Sequence, residues 1–174
     1  SYNNVLIVSD NLYLVKRFRE ILDALEISEN RFKFCCTSAE VESVKDALLR
    51  INVKQESIRI AEEFDLVISL HSKQIFPAAL VNSVKCINIH PGFNPYNRGW
   101  YPQVFSIINK LPVGATIHEM DQLVDHGKII DQMQVNVNAW DTSMDVYNKV
   151  LDTELELMKK NLPNILENNY EATE

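Results

Sequence analysis

Short continuous apolar runs alternate along the chain with stretches whose apolar residues recur every three or four positions. Residues 5–8 form one such run and predict a parallel strand covered on both faces. Leu12, Val15, Phe18, Leu22 and Leu25 follow at helical spacing, so residues 9–11 predict a helix cap whose free amide groups suit a phosphate. Residues 31–37 predict a second strand, and Ser38 with Val41, Val44, Ala47 and Leu48 a following helix or its start. A short strand at 51–53 and a helix at 57–64 come next. A buried strand at 65–70 then runs out into a polar loop, 71–77.

Residues 84–89 again read as a buried strand, which Pro91, Gly92 and Pro95 break into an irregular loop. Pro102 suits the first turn of a helix with Val104, Phe105, Ile107 and Ile108 on its buried face, ending at residues 110–112. Strands at 113–120 and 128–137, separated by a polar loop, predict an antiparallel pair. Thr142 and Asp145 have the spacing of a capping box, with Asp in place of the usual Glu or Gln. They open a long helix carrying Val146, Val150, Leu151, Leu155 and Met158 that stops before Pro163. The Glu and Lys residues of this helix predict a solvated face, and residues 167–174 an acidic, frayed tail. The sum is one α/β domain with a mostly parallel sheet, an antiparallel addition near its end, and helices on both faces. The ends of strands 5–8, 65–70 and 84–89 then share one edge, where such sheets carry ligands.

Composition narrows the chemistry. With 174 residues, 46% of them hydrophobic, the chain is a single domain, 1–174, long enough to bury a core. A formal charge of -7 argues against nucleic acid as a partner, because that affinity rests on clustered Lys and Arg. There is no eighteen-residue apolar run and no basic-then-apolar leader, which predicts a cytoplasmic protein without a membrane partner. Cys35, Cys36 and Cys86 lie in apolar runs without the paired spacing of a metal knuckle, so they read as core thiols and no metal is expected. The four glycines, at 92, 99, 114 and 127, make no dinucleotide fingerprint, which disfavours a nicotinamide cofactor.

Asn88 and His90 are two apart on a strand and point to the same side, toward one cavity. Asn88-Ile89-His90-Pro91, the proline-broken loop and the later Asp125-His126-Gly127-Lys128-Ile129-Ile130 resemble the folate-dependent formyltransferases over most of the chain. That resemblance implies a Rossmann-like formyltransferase fold, 10-formyltetrahydrofolate as co-substrate, and Asn88, His90 and Asp125 as catalytic residues. The loop Gly92-Phe93-Asn94-Pro95, with residues 96–103 and 72–77, is similar to the sugar N-formyltransferase branch. Members of that branch formylate dTDP-linked amino sugars such as dTDP-4-amino-4,6-dideoxyglucose for surface polysaccharide and lipopolysaccharide O-antigen. The resemblance further implies an N-terminal catalytic domain lacking a C-terminal dimerisation extension, and a homodimer for the full-length protein. Other acceptors, a UDP-amino sugar or glycinamide ribonucleotide, stay open, as does a non-catalytic module that binds nucleotide sugar or folate.

Formyl transfer to an amine passes through a tetrahedral intermediate bearing an oxyanion, and the amine must lose a proton. An amide donor such as Asn88 is worth about 3–4 kcal/mol to that oxyanion. His90 titrates near neutrality and either accepts the proton or shares in oxyanion binding. Asp125 holds the imidazole's protonation state or orders a proton-shuttling water. By the same resemblance the pterin lies against backbone groups of Gln74, Ile75 and Phe76 and against the loop of Met120, Asp121 and Asp125. Lys73 and Arg98 are the expected diphosphate clamps; Tyr96, Trp100 and Tyr101 stack on thymine or cover the sugar, and Asn11 caps the nucleotide. His71 and His118 have no such partners in the sequence and read as structural or solvated. His126 stays open, and Trp140 reads as a packing residue.

Overall fold

Two apolar faces of one sheet organise the molecule. The computed structural model describes residues 1–39, 48–94, 112–123 and 125–174. Its strands are β1 (Val5–Val8), β2 (Phe32–Cys36), β3 (Leu49–Arg50), β4 (Leu66–Leu70), β5 (Lys85–His90), β6 (Gly114–Glu119) and β7 (Ile129–Gln134). The described α-helices are α1 (Leu12–Ala24), α2 (Ser57–Glu63), α3 (Ala78–Val81) and α4 (Ser143–Leu166). The sheet order is β3-β2-β1-β4-β5-β6-β7. Pairing is parallel from β3 to β5 and antiparallel from β5 to β7, which is the expected class.

Alternation along the strands decides what each face meets. Val5, Ile7, Leu66, Ile68, Ile87 and Ile89 point to the side covered by α1 and α4, where Leu14, Phe18, Leu151 and Leu155 close the core. Leu6, Val8, Val67 and Cys86 point the other way, against Ile60 of α2 and Leu80 of α3. Burial of each such side chain is worth about 1.5–3 kcal/mol. The two helix starts form as their sequences predict. The Asn11 side chain caps α1 by accepting from Leu14 N at 3.0 Å. Thr142 and Asp145 make the reciprocal capping box, at 2.9 and 3.1 Å.

Several expectations are corrected. The strand foreseen at 51–53 is instead the two-residue β3; Ile51 N still reaches Cys36 O at 2.8 Å, but Val53 turns inward and is buried. The four-residue α3 is too short for a helical period to show in sequence. Helix α4 runs through Pro163 to Leu166. A proline there removes one hydrogen bond, to the carbonyl of exposed Lys159, while buried Leu162, Ile165 and Leu166 hold the last turn to the core. The solvated-face reading of α4 fails at Glu154, which falls on the apolar stripe and is 0% exposed. Trp140, foreseen as packing, is 79% exposed. The helices foreseen after Ser38 and after Pro102 fall mostly outside the described residues.

The tail is tied down rather than frayed. Thr173 exchanges two backbone hydrogen bonds with Ile129 at the open edge of β7, at 2.6 and 2.8 Å. Tyr170 donates its hydroxyl to Glu119 Oε1 at 2.7 Å, the oxygen that also meets Lys85 Nζ at 2.8 Å. Burial raises the Glu119 carboxyl, but the hydrogen bonds from Lys85 and Tyr170 and the Lys85 charge outweigh it and hold the group below its ordinary value. A carboxyl lowered on folding stabilises above its unfolded pKa and loses that contribution as pH falls through the folded one. Tyr170→Phe is therefore expected to cost about 1–2 kcal/mol at neutral pH and distinctly less in acid, where Glu119 is protonated. Urea titrations at both pH values check this; an equal cost would separate the tail from Glu119 ionisation.

Candidate active site

At the carboxyl edge of the sheet, Asn88 and His90 leave β5 on the face opposite Ile87 and Ile89, as their spacing predicts. The antiparallel register adds what spacing does not. β6 sets His118 directly across from Asn88 and Thr116 across from His90, so all four side chains share one face. The loop from β6 to β7 then returns Asp125 to the same place. Asp125 Oδ1 lies 3.2 Å from Asn88 Nδ2, 3.5 Å from His90 Nδ1 and 3.5 Å from His118 Nε2. An amide and a carboxylate 37 residues apart thus meet beside two imidazoles.

Hydrogen-bond chemistry orients the cluster. A carboxylate only accepts, so the Asn88 amide must turn its nitrogen to Asp125. His118 Nδ1 lies 2.8 Å from the Glu119 carbonyl, which also only accepts, so Nδ1 carries the proton. His118 Nε2 then accepts from Asn88 Nδ2 at 3.3 Å. Both hydrogens of the Asn88 amide are therefore engaged, one by Asp125 and one by His118. His118, read from the sequence as structural or solvated, belongs to this constellation; only the antiparallel register could have revealed it.

The loop holding Asp125 is braced from three sides. Asp125 itself has φ 51°, a left-handed backbone, and Gly127 sits so close to the Glu119 carbonyl that no Cβ fits. Asn94, 2% exposed, donates Nδ2 to the Asp125 carbonyl at 3.0 Å and its backbone N–H to Thr116 Oγ1 at 3.2 Å. Thr116 Oγ1 in turn donates to Gly92 O at 2.7 Å, and Gln132 Nε2 to Asn94 O at 3.1 Å. Asn94, Thr116 and Gln132 are the residues that pattern alone did not single out, and they lock the loop after β5 to the loop after β6.

A cavity of about 400 Å³ opens beside the cluster, a size that suits a small ligand. Ile75, Phe76, Met120 and Leu123 supply apolar wall, while Asp10, Asn11, His71 and Tyr147 line the end nearer β1. Ile75 is exposed at the rim and Phe76 is buried beneath it. The Gln74 side chain accepts from Val53 N at 2.9 Å, and its backbone N–H and carbonyl meet the Ser72 hydroxyl at 3.2 and 3.1 Å, so the backbone groups foreseen for the pterin are already partnered within their own loop. Met120 is half-buried; Asp121 is exposed, accepting from Leu123 N at 2.8 Å and pairing with His126 Nδ1 at 2.8 Å.

At the β1 end, Asn11 is committed to its helix cap, so fewer amides remain for a phosphate than expected. The Asp10 carboxylate gathers Thr37 N at 2.7 Å, Ser38 N at 2.8 Å, Thr37 Oγ1 at 2.5 Å and Lys73 N at 2.6 Å, tying three loops together. Lys73 lines the cavity; Tyr96, Arg98, Trp100 and Tyr101 lie outside the described residues. The three cysteines are buried, and burial pushes the Cys86 thiol up to about 12 despite Lys85. Among the described residues no group of three or more His, Cys, Asp and Glu is arranged to hold a metal, and no helix is long and apolar enough to cross a membrane.

Residues 32–162 match the profile of a family described as formyl transferase. Over 123 residues, 71% of this chain, the sequence is 50% identical to dTDP-4-amino-4,6-dideoxyglucose formyltransferase of Mycobacterium bovis, of which it covers 53%. The chain thus spans about half the length of that relative. A 4-N formyltransferase from Francisella tularensis superimposes with a TM-score of 0.89 at 44% identity, over 99% of this chain and 72% of that one. A sugar N-formyltransferase from a Shewanella species gives the same TM-score and identity, over 98% of this chain and 72% of its own.

The bracing of Asp125 is open to test without any ligand. Gly127→Ala forces the turn away from the Glu119 carbonyl and is expected to cost about 1–3 kcal/mol, the range for overpacking a close contact. Urea denaturation measures it. A cost below a few tenths would mean that the turn moves freely and does not position Asp125.

Proposed function

Because the chain belongs to the formyl transferase family, we propose that it moves a formyl group from 10-formyltetrahydrofolate to the amine of a dTDP-linked amino sugar, dTDP-4-amino-4,6-dideoxyglucose foremost. The observation that carries the reaction class is the meeting of Asn88, His90 and Asp125 within 3.5 Å of one carboxylate oxygen. The choice of acceptor is supported by the 50% identity to the Mycobacterium bovis enzyme, whose name states that substrate. Three buried thiols suit a reducing cytoplasm, where this reading places the reaction.

The folate co-substrate, when bound, supplies an activated formyl carbonyl, and Ile75, Met120 and Leu123 offer apolar surface to its flat ring. His90, 3% exposed, takes the proton released by the attacking amine and gives it to the tetrahydrofolate nitrogen as the C–N bond to the formyl carbon breaks. Asp125, beside Nδ1, orients that ring and stabilises the imidazolium as it forms. The Asn88 amide donates to the developing oxyanion once one of its two present acceptors yields. His118 limits the rotation of that amide, so the donor stays aimed while the charge builds. Burial of the cluster keeps water from competing for these donors.

Asn88→Ala and His90→Ala are each expected to lower single-turnover formylation about 100-fold or more while dTDP affinity stays near that of the unsubstituted chain. Absorbance of released tetrahydrofolate follows the reaction, and calorimetry with dTDP, UDP and glycinamide ribonucleotide identifies the acceptor. Near-normal turnover in both variants would refute the assigned chemistry. Binding of glycinamide ribonucleotide or UDP in place of dTDP would refute the acceptor.

A further inference from the structure

The wall of the cavity opposite the Asn88 cluster holds a second pair of titratable groups that the proposed chemistry leaves unused. His71 follows β4 directly. Leu70 pairs with Ile89, so His71 falls beside His90 in register, and its carbonyl accepts from Asp10 N at 2.9 Å at the end of β1. β1 continues into β2 on one side and β4 into β5 on the other, which makes this the switch point of the sheet, where doubly wound folds bind ligands. Strand alternation would turn His71 toward the same face as Val67. Its φ of 60° instead swings the ring to the α4 side, where Nε2 lies 2.7 Å from Glu154 Oε1. A left-handed backbone strains a residue bearing a Cβ, and such strain clusters at functional sites.

Glu154 is 0% exposed, and its Oε2 has no hydrogen-bond partner among the described residues. A carboxylate so placed is costly unless a cation faces it, and His71 is that cation. Burial pulls the imidazole down, but the charge of Glu154 and the hydrogen bond to it more than reverse this, leaving His71 above its ordinary value. Glu154 also moves up, burial outweighing the charge and hydrogen bond of His71. The two shifts compete for one proton, and the proton on the ring is what gives the buried carboxylate, 2.7 Å away, the counter-charge it needs.

We propose that His71, backed by Glu154, is an anion anchor of this cavity: its Nδ1–H, the ring nitrogen facing away from Glu154, receives the diphosphate of the acceptor. This rests on the nucleotide-sugar reading above and assigns the diphosphate a place within it. His71 Nδ1 has no partner among the described residues, and the side chain keeps 17% exposure at the cavity wall. The other charged or titratable groups around it fit an anion. Lys73 is on the same loop, and Tyr147 of α4 lines the same end of the cavity. Asp10 already has its carboxylate filled by Thr37, Ser38 and Lys73 donors, and His90 lies beside on β5. An acceptor held at His71 extends toward Asn88 and His90 from the side opposite the apolar wall of Met120 and Leu123.

Calorimetric titration of the chain with dTDP and, separately, with a formyltetrahydrofolate analogue tests this. His71→Asn keeps a residue that tolerates the left-handed backbone, and Glu154→Gln removes the charge behind the ring. Both are expected to weaken dTDP binding about tenfold or more and to leave folate-analogue binding within about twofold. dTDP affinity of the unsubstituted chain should fall as pH rises from 7 to 9, and His71→Asn should flatten that profile, which a purely structural role would not do. Unchanged dTDP affinity in His71→Asn, or an identical pH profile, overturns the proposal, and these two results decide it even if Glu154→Gln does not fold. If the unsubstituted chain binds no dTDP, the nucleotide-sugar reading fails first and takes this assignment with it, a result seen without any variant.

Discussion

One oxygen, Oδ1 of Asp125, stands within 3.5 Å of an amide nitrogen and two imidazole nitrogens. A largely buried carboxylate needs such company, because an unpaired anion in this setting would cost more than the loop that carries it could supply. The need works in both directions. Asp125 can be buried because Asn88 donates to it and His90 stands beside it, and it in turn fixes the Asn88 amide, whose other hydrogen goes to His118. The left-handed turn at Asp125, the close approach of Gly127 to Glu119, and the Asn94 clamp all serve to keep this oxygen where it is.

The sheet makes that meeting possible by changing direction. Five parallel strands build a core that is covered on both faces, and their carboxyl ends form a crevice that carries Asp10, His71 and His90. At β5 the sheet turns antiparallel, with β6 running back alongside it and β7 forward again. An antiparallel neighbour places its residues directly opposite those of β5, and the loop that follows it leaves beside Cys86 and folds back over the face to bring Asp125 to Asn88 and His90. A further parallel crossover would have carried the equivalent of Asp125 to the far side of a helix. The same edge also receives α4, which delivers Tyr147 and the buried Glu154 to the β1 side of the cavity. The cavity is thus walled by two polar clusters with apolar surface between them.

Periodicity was a good guide wherever one element faces one environment. Strand β1 is an uninterrupted apolar run, and β4 and β5 are apolar but for Ser69 in the one and Lys85, Asn88 and His90 in the other, because both faces of the sheet are covered; α1 and α4 carry stripes with recognisable caps. It failed where a residue's partner is distant in sequence. Glu154 looks like any surface glutamate of a helix until the helix is seen to lay that position against His71. Pro163 looks like a stop until the residues after it are seen to be buried, and the tail looks frayed until the open edge of β7 is there to pair with it.

The family of the chain, the strand that carries Asn88 and His90, and the edge at which they emerge were determined by the sequence alone, since local alternation and a short motif suffice for each. Tertiary structure alone decided that His118 joins them, that the Asn88 amide is held by two acceptors, and that a histidine and a glutamate 83 residues apart form a buried pair. The physical reason is the same in all three cases: cross-strand register and helix placement set side-chain distances of 2.7–3.5 Å between residues whose separation along the chain carries no trace of them.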